Sequence, residues 1–272
     1  MIPRVKPKKR LGQNFMTSER DLSRIAAALK LGPRETVLEI GPGTGALTRK
    51  LIETGACVLA VEKDRTLAAY LEQNIPGDSL RVIPKDILQI DLKKDLHIKE
   101  PLSVAGNIPY NITTPILEWM VAQRRWISQA VLTVQWEVAQ RLGAEPGNKE
   151  WGSLSVFLRL YADVELIQKI DKSHFVPAPK VDSGVLRFVF LPKPRYSLTN
   201  EALFFSLVRR SFQKRRKTLL NALWDKNAGN PSREALRAVL ARLSIEARRR
   251  PETLSLDEWA RLSEALGSPA QK

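Results

Sequence analysis

TVLEIGPGTGALT, residues 36–48, places three glycines at alternating positions directly after an apolar, strand-like run. A helical pattern follows them, so Gly41, Gly43 and Gly45 lie where a strand turns into a helix. Glycine permits a tight turn and a close approach of the backbone to a ligand. A plain strand-to-helix turn does not need three of them. The stretch therefore predicts an α/β fold whose loop binds a cofactor through Gly41 and Gly43.

The alternation of strand and helix patterns continues beyond this stretch to about residue 135. Such an alternation indicates βαβ units, and hence a parallel sheet with helices on both faces. The predicted strands are 36–41, 57–64, 81–86, 102–109 and 129–135.

The pattern changes after residue 135. Segments 154–170 and 183–192 show no convincing helix between them, and we expect an antiparallel pair at the sheet edge. Residues 192–197 read as a linker, and the patterns from 199 to 266 are helical. The sequence thus predicts an α/β catalytic domain, residues 1–192, and a small basic all-α domain, residues 193–272.

Charge indicates the class of partner. The chain of 272 residues has 44 Lys and Arg against 29 Asp and Glu, a net charge of +15, which attracts polyanions. The cations cluster, and an aromatic residue, Phe212, lies within one cluster, which favours nucleic acid; an anionic membrane is the weaker alternative. The predicted RNA-binding residues are Lys8, Lys9, Arg10, Arg209, Arg210, Lys214, Arg215, Arg216 and Lys217.

Other features limit the compartment and the chemistry. A single cysteine, Cys57, excludes an internal disulfide and fits a reducing compartment. No apolar region follows the basic N-terminus, and no apolar run approaches the about 20 residues of a membrane helix. His97 and His174 show no metal-ligand spacing. We expect a cytoplasmic monomer with no metal ion and no membrane partner.

Two acidic residues bear on the identity of the cofactor. Glu62 ends the second strand about 20 residues after the glycines, where an acid binds ribose hydroxyls; this fits NAD and S-adenosylmethionine alike. Glu39 within the first strand and Asp86 at the end of the third favour S-adenosylmethionine, since Asp86 could accept the adenine amino proton. Taken alone, Asp86 is equally well explained as a turn cap.

AGNIPYNITTP, residues 105–115, follows the fourth strand and indicates a rigid loop that holds a planar group. If that group is a nucleobase, the Asn107 side-chain carbonyl and the Ile108 backbone carbonyl can accept from its amino group, and Tyr110 can stack on it. Phe175, in another proline-bearing loop, could cover the second face. A half-buried Tyr in a turn and a Phe that anchors a loop remain the structural alternatives.

Six blocks carry a resemblance: KKRLGQNFM, LEIGPGTGALT, GNIPYNITTPIL, QWEVAQRLGAEPGNKEWGSLSV, FVPAPKVDSGVLRF and SFQKRRKTLLNAL. Together they resemble the ribosomal RNA adenine N6,N6-dimethyltransferases, most of all the small-subunit enzymes. The resemblance implies a Rossmann-like class I methyltransferase sheet and S-adenosylmethionine as cofactor. It also implies that Asn14, Met16 and Asn107 contact this cofactor together with Gly41, Glu62 and Asp86.

The implied substrate is 16S ribosomal RNA within a precursor of the small (30S) subunit. The implied reaction is dimethylation of two adjacent adenosines in the 3′-terminal hairpin. Two alternatives stay open: a 23S ribosomal RNA methyltransferase that confers macrolide resistance, and a non-catalytic RNA-binding assembly factor. Intact Glu62, Asp86 and Asn107 favour a catalyst.

Overall fold

The computed structural model describes residue 8, residues 11–224 and residues 232–267. Of the predicted RNA-binding residues, Lys9 and Arg10 lie outside these ranges. The strands are β1 (Phe15–Met16), β2 (Thr36–Ile40), β3 (Cys57–Val61), β4 (Leu80–Ile83), β5 (Leu102–Asn107), β6 (Ile127–Gln135), β7 (Ala162–Ile170), β8 (Phe175–Val176) and β9 (Ser183–Phe190).

Ten α-helices occur in the described residues, with short 3-10 turns between some of them. They are α1 (Glu19–Ala28), α2 (Ala46–Glu53), α3 (Arg65–Asn74), α4 (Thr113–Ala122), α5 (Trp136–Gly143), α6 (Ser153–Arg159), α7 (Glu201–Gln213), α8 (Leu219–Leu223), α9 (Arg233–Arg242) and α10 (Leu256–Gly267). None of the helices in this part of the chain is long and apolar enough to cross a membrane.

Seven strands form one sheet in the order β4-β3-β2-β5-β6-β9-β7. The first five are parallel, and β9 pairs antiparallel with β6. The apolar residues of β2, Val37, Leu38 and Ile40, are buried, as expected where helices cover both faces of a parallel sheet. The predicted fold, a mostly parallel sheet with an antiparallel edge pair and helices at the C-terminus, is confirmed.

The chain forms two compact units, and they divide it differently from the predicted boundary. The first unit takes in the described residues up to Gln140 and Asp163–Pro192; the second takes in Arg141–Ala162 and those from Lys193 on. Residues 141–162, which the sequence division placed in the first domain, belong with the helices because Phe157 of α6 packs edge-on against Phe205 of α7, with ring centroids 4.9 Å apart. Tyr161 also donates to Glu201 Oε2 at 2.8 Å.

Two predicted elements differ in the structure. Residues 153–159 are helical, whereas a strand was predicted from 154. Ser155 and Arg159 alternate with apolar neighbours, a spacing that also fits a strand, so the short pattern there could not distinguish a helix from a strand. The predicted helix 201–224 is two helices, α7 and α8, separated by a turn at Lys214–Thr218. The backbone of Lys217 donates to the carbonyl of Lys214 within this turn, at 2.8 Å.

Candidate active site

The glycine loop after β2 has the backbone conformation that its sequence requires. Gly41 and Gly45 have φ values of 64° and 79°, in the left-handed region where glycine is favoured. A Cβ at Gly41 would meet nothing within 4 Å, so this side of the loop is open to a ligand. A Cβ at Gly45 would lie 2.5 Å from the Ile75 side chain, so this glycine permits close packing instead.

A cavity lies beside this loop at the carboxyl ends of β2, β3 and β5, as is typical of ligand sites in open α/β sheets. The segment Leu11–Met16 forms part of its wall. The cavity brings together eight of the residues predicted from the sequence: Asn14, Met16, Gly41, Gly43, Glu62, Asp86, Asn107 and Tyr110.

Glu62, at the end of β3, is held by two backbone groups. Its Oε2 accepts from Gly43 N at 3.1 Å, and its Oε1 accepts from Asp64 N at 2.8 Å. The side chain is only 6% exposed, and burial raises the pKa of its carboxyl above the ordinary value. Each oxygen has a second lone pair, so the carboxylate is fixed in place and can still accept from ligand hydroxyls.

Asp86 both caps a turn and lines the cavity, so the structure is compatible with both alternatives considered from the sequence. Its Oδ1 accepts from Leu88 N at 3.1 Å and caps a 3-10 turn. Its Oδ2 pairs with Lys63 Nζ at 2.7 Å. Asp86 also lines the cavity. The cap is thus present in the structure, and it leaves the side chain beside the space where a ligand would lie.

Glu39 is a buried acid within β2 that also lines the cavity. It is 1% exposed and accepts a hydrogen bond from Thr48 Oγ1 at 2.6 Å. Burial raises the pKa of Glu39 from 4.5 to about 8, outweighing the opposite effect of the Thr48 hydrogen bond. The side chain is therefore mostly protonated at neutral pH.

Asn107, at the end of β5, has its amide orientation set by the N-terminal segment. Its Nδ2 donates to the backbone oxygen of Asn14 at 2.9 Å, which leaves Oδ1 as the group available to a substrate donor. The adjoining Ile108 N donates to the Thr133 carbonyl of β6 at 3.3 Å. The loop is thus anchored on both sides, and the oxygen of Asn107 is a preorganised acceptor.

Tyr110 is half-buried, and a contact of its hydroxyl with Ser183 fixes its ring. Its hydroxyl lies 2.6 Å from Ser183 Oγ, and Ser183, at the start of β9, is fully buried. Burial raises the pKa of the Tyr110 hydroxyl, so it is neutral at physiological pH. This contact joins residues 73 positions apart and was not apparent from the sequence.

The sequence matches the family model described as ribosomal RNA adenine dimethylase over residues 4–266. The chain belongs to the ribosomal RNA adenine dimethylase family. The resemblance seen in the sequence is therefore confirmed, and so is the expected cofactor, S-adenosylmethionine, the methyl donor of this family.

Similar proteins support this membership over the whole chain. A protein from Geobacter sulfurreducens, named ribosomal RNA small subunit methyltransferase A, is 45% identical, covering 96% of each chain. One of the same name from Bacillus mycoides is 40% identical, covering 95% of this chain and 91% of its own. The crystal structure of the 23S rRNA methyltransferase ErmE matches with a TM-score of 0.73 and 28% identity, covering 94% of this chain and all of its own.

Phe175, predicted to cover the second face of a base, is buried in this dimethylase fold. It is 2% exposed and packs in the core with Leu22 and Ile25. It pairs with Met16 across the β1–β8 ladder, and it is not among the residues that line the cavity. Phe175 thus anchors its loop beneath the N-terminal segment, and its role as a second stacking face stays a prediction.

Lys8, which is predicted to bind RNA, contacts Asp64 and Gln13 in the structure. Its Nζ pairs with Asp64 Oδ1 at 2.7 Å, and its backbone N donates to Gln13 Oε1 at 2.8 Å. Burial would raise the pKa of Asp64, but the hydrogen bonds from Lys8 and Thr66 N outweigh burial and lower it. Neither Asp64 nor Gln13 was among the predicted site residues, because their 51-residue separation hides the contact in the sequence.

The basic residues of the helical unit differ in what they contact. Arg209, Lys214, Arg216 and Lys217 are exposed, and Arg210 is half-buried. Arg215 is also half-buried: it donates to the Lys149 carbonyl and lies 3.8 Å from Glu252 Oε2. Arg215 is therefore tied into the packing of its own unit, and the exposed cations are the stronger candidates for binding phosphate.

Proposed function

We propose that this chain dimethylates the N6 amino groups of two adjacent adenosines in the 3′-terminal hairpin of 16S ribosomal RNA. The observation that carries this proposal is the Asn107 amide, whose nitrogen is bonded to Asn14 and whose oxygen remains for a donor beside the cavity. Small-subunit methyltransferases similar to this chain over its whole length support the choice of RNA.

The residues around the cavity fit S-adenosylmethionine. The open side of Gly41 admits close approach of a ligand, Glu62 can accept from the two ribose hydroxyls, and Asp86 can accept from the adenine amino group. Asn14 and Met16 line the same cavity. When bound, the cofactor supplies an electrophilic methyl group on a sulfonium.

The loop after β5 positions the acceptor. An exocyclic amino group is a poor nucleophile because its lone pair is delocalised into the ring. Asn107 Oδ1 and the Ile108 carbonyl would accept its two hydrogens and draw the nitrogen towards tetrahedral geometry, while Tyr110 would stack on the base. No general base is needed, because the methylated ammonium releases its proton readily.

The proposed partner is 16S RNA within a precursor of the small (30S) subunit, and we propose a cytoplasmic monomer that requires no metal. The proposed division of labour places catalysis in the α/β unit and RNA binding in the basic helical unit. The net charge of +15 and the exposed cations of the turn after α7 support an RNA partner.

The deciding experiment supplies labelled S-adenosylmethionine with unmethylated small subunits, large subunits or naked 16S RNA, and maps the modified nucleotides. We expect dimethyladenosine at two adjacent positions of the small-subunit RNA, with and without a chelator. Label in 23S RNA alone would favour the resistance enzyme. No label in any RNA would favour a non-catalytic assembly factor.

The cofactor contacts can be tested separately by calorimetry. We expect Glu62→Ala to weaken S-adenosylmethionine binding by about 1.5–3 kcal/mol, because a hydrogen bond to a charged acceptor is lost. Exposed Glu72→Ala on α3 serves as the matched control. Unchanged affinity in Glu62→Ala would remove Glu62 from the cofactor site.

A further inference from the structure

A second cavity occurs within the helical unit, at the turn between α7 and α8. It is lined by the basic turn Lys214–Lys217 with Gln213, Asn221 and Trp224. None of these residues has a part in the chemistry proposed for the first cavity. The turn interrupts what would otherwise be one continuous helix and gathers four cations around a concave surface.

The walls of this cavity are held by contacts within the unit. Arg215 is tied to the Lys149 carbonyl and to Glu252. The first residue of α8, Leu219, donates its backbone N–H to the Arg249 carbonyl at 2.6 Å, and its side chain is fully buried. Arg216 and Lys217, which lie between these fixed points in the sequence, are exposed. The cavity thus combines walls that are held in place with cations that are accessible.

Trp224 makes this surface different from a simple cluster of cations. Its ring is half-buried, and the Arg233 guanidinium lies 6.0 Å from the ring centroid. Arg233 Nη2 also donates to Asn221 Oδ1 at 2.7 Å, which orients the Asn221 amide and leaves its nitrogen as a donor. An aromatic face and an oriented amide therefore lie beside positive charge.

This combination fits one class of ligand best. Phosphate oxygens alone would be satisfied by Lys and Arg, and a duplex presents its phosphates while its bases stay stacked inside. A Trp face next to cations matches an unpaired nucleotide, whose base can stack while its phosphate is neutralised. We infer that this cavity binds one unpaired nucleotide of the RNA, with its phosphate at Arg216 and Lys217, its base on Trp224 and its base edge at Asn221.

This inference rests on the proposed function for the identity of the RNA. Its binding test, however, does not depend on methylation. The full chain is titrated with labelled oligouridine and with a labelled RNA duplex of matched charge. We expect Trp224→Leu to weaken oligouridine binding about 10-fold, because the stacking of a base on the ring is lost, while binding of the duplex stays unchanged. Trp224→Phe should retain most of the affinity for oligouridine.

Trp126→Leu is the matched control. Trp126 is also half-buried beneath a cation, with Lys93 Nζ 5.4 Å from its ring centroid, but it lies in the α/β unit and lines neither cavity. It should bind both RNAs as wild type does. Lys217→Ala should weaken binding of both RNAs and lower the slope of log affinity against log salt by about 0.7 for the single strand.

The outcomes separate this inference from the proposed function. Equal affinity of Trp224→Leu and wild type for oligouridine, or an equal loss for single strand and duplex, would overturn the nucleotide site and leave a phosphate-binding surface. Exposed Asn221→Ala, which removes only the amide, should weaken binding of oligouridine alone and guards against misfolding of the Trp224 variant. A wild type that binds oligouridine through Trp224 yet methylates no RNA would refute the proposed function and retain the site.

Discussion

Two proline-bearing loops, residues 107–110 after β5 and residues 174–177 between β7 and β9, look alike in sequence but differ in what they expose. The first places Asn107 and Tyr110 at the cofactor cavity. The second buries its aromatic residue, Phe175, and exposes Val176, which is 49% exposed. Side chains alternate between the two faces of a strand, and pairing of β8 with β1 turns Phe175 inward. Proline indicates a stiff loop, whereas pairing with a neighbouring strand decides which side chain faces a ligand.

The largest effect that tests this difference is on stability. We expect Phe175→Ala to lower the free energy of unfolding by about 3–5 kcal/mol, because it leaves a cavity in the core. Denaturant titration measures this, and the exposed neighbour Val176→Ala should change it by less than about 0.5 kcal/mol. A Phe175→Ala protein of normal stability that binds the target adenosine poorly would favour the stacking role over the role as a loop anchor.

On the other loop, we expect the principal effect on rate. Asn107→Ala should lower the single-turnover rate of methyl transfer about 10²–10³-fold, because one preorganised acceptor is lost, with RNA affinity nearly unchanged. The measurement uses saturating RNA and cofactor. Asn107→Asp should also be slow, since a carboxylate cannot donate to the Asn14 carbonyl. A wild-type rate in Asn107→Ala would show that this loop is only a turn and that Asn107 has no part in methyl transfer.

Tyr110 allows the ring and the hydroxyl to be separated. Tyr110→Ala should lose stacking of about 1–3 kcal/mol at the reacting base. Tyr110→Phe keeps the ring but leaves Ser183 Oγ without its partner, which should cost about 0.5–1.5 kcal/mol of stability. A double-mutant cycle with Ser183→Ala measures the coupling; a coupling of zero would show that the hydroxyl contact does not hold the ring.

The smallest effect is expected at His174, in the same loop as Phe175. Its Nδ1 lies 2.6 Å from Asp21 Oδ2 on α1, but the imidazole is 44% exposed. Solvent screens such a pair, so His174→Ala should lower the free energy of unfolding by only about 0.2–1 kcal/mol. Thermal unfolding of His174→Ala, compared with His97→Ala as a control, measures this effect. A loss as large as that of Phe175→Ala would mean that the imidazole contact, rather than the buried ring, anchors the loop.

The sequence was most informative where local pattern and structure coincide. Alternating apolar runs predicted the five parallel strands, and the glycines with Glu62 predicted the cavity, because strand ends converge at one edge of a parallel sheet. The helix at 153–159 was missed because it is short and its polar residues, Ser155 and Arg159, have apolar neighbours on both sides, as they would in a strand.

Contacts between distant segments could not be predicted. The link from Tyr110 to Ser183 spans 73 residues, and the ion pair from Lys8 to Asp64 spans 56. The inward orientation of Phe175 follows from the two-residue pairing of β8 with β1, which is too short to leave a pattern in the sequence. Predictions of side-chain roles were therefore less secure than predictions of position.

The buried Glu39–Thr48 pair affects the enthalpy of unfolding that calorimetry measures. Near neutral pH the folded chain holds a proton on Glu39 that the unfolded chain has released, since the pKa is about 8 in one state and 4.5 in the other. The free energy of unfolding therefore falls as the pH rises through this interval and levels off above it. Each unfolding event delivers that proton to the buffer, so the calorimetric enthalpy should differ between phosphate and Tris, and Glu39→Gln should reduce the difference.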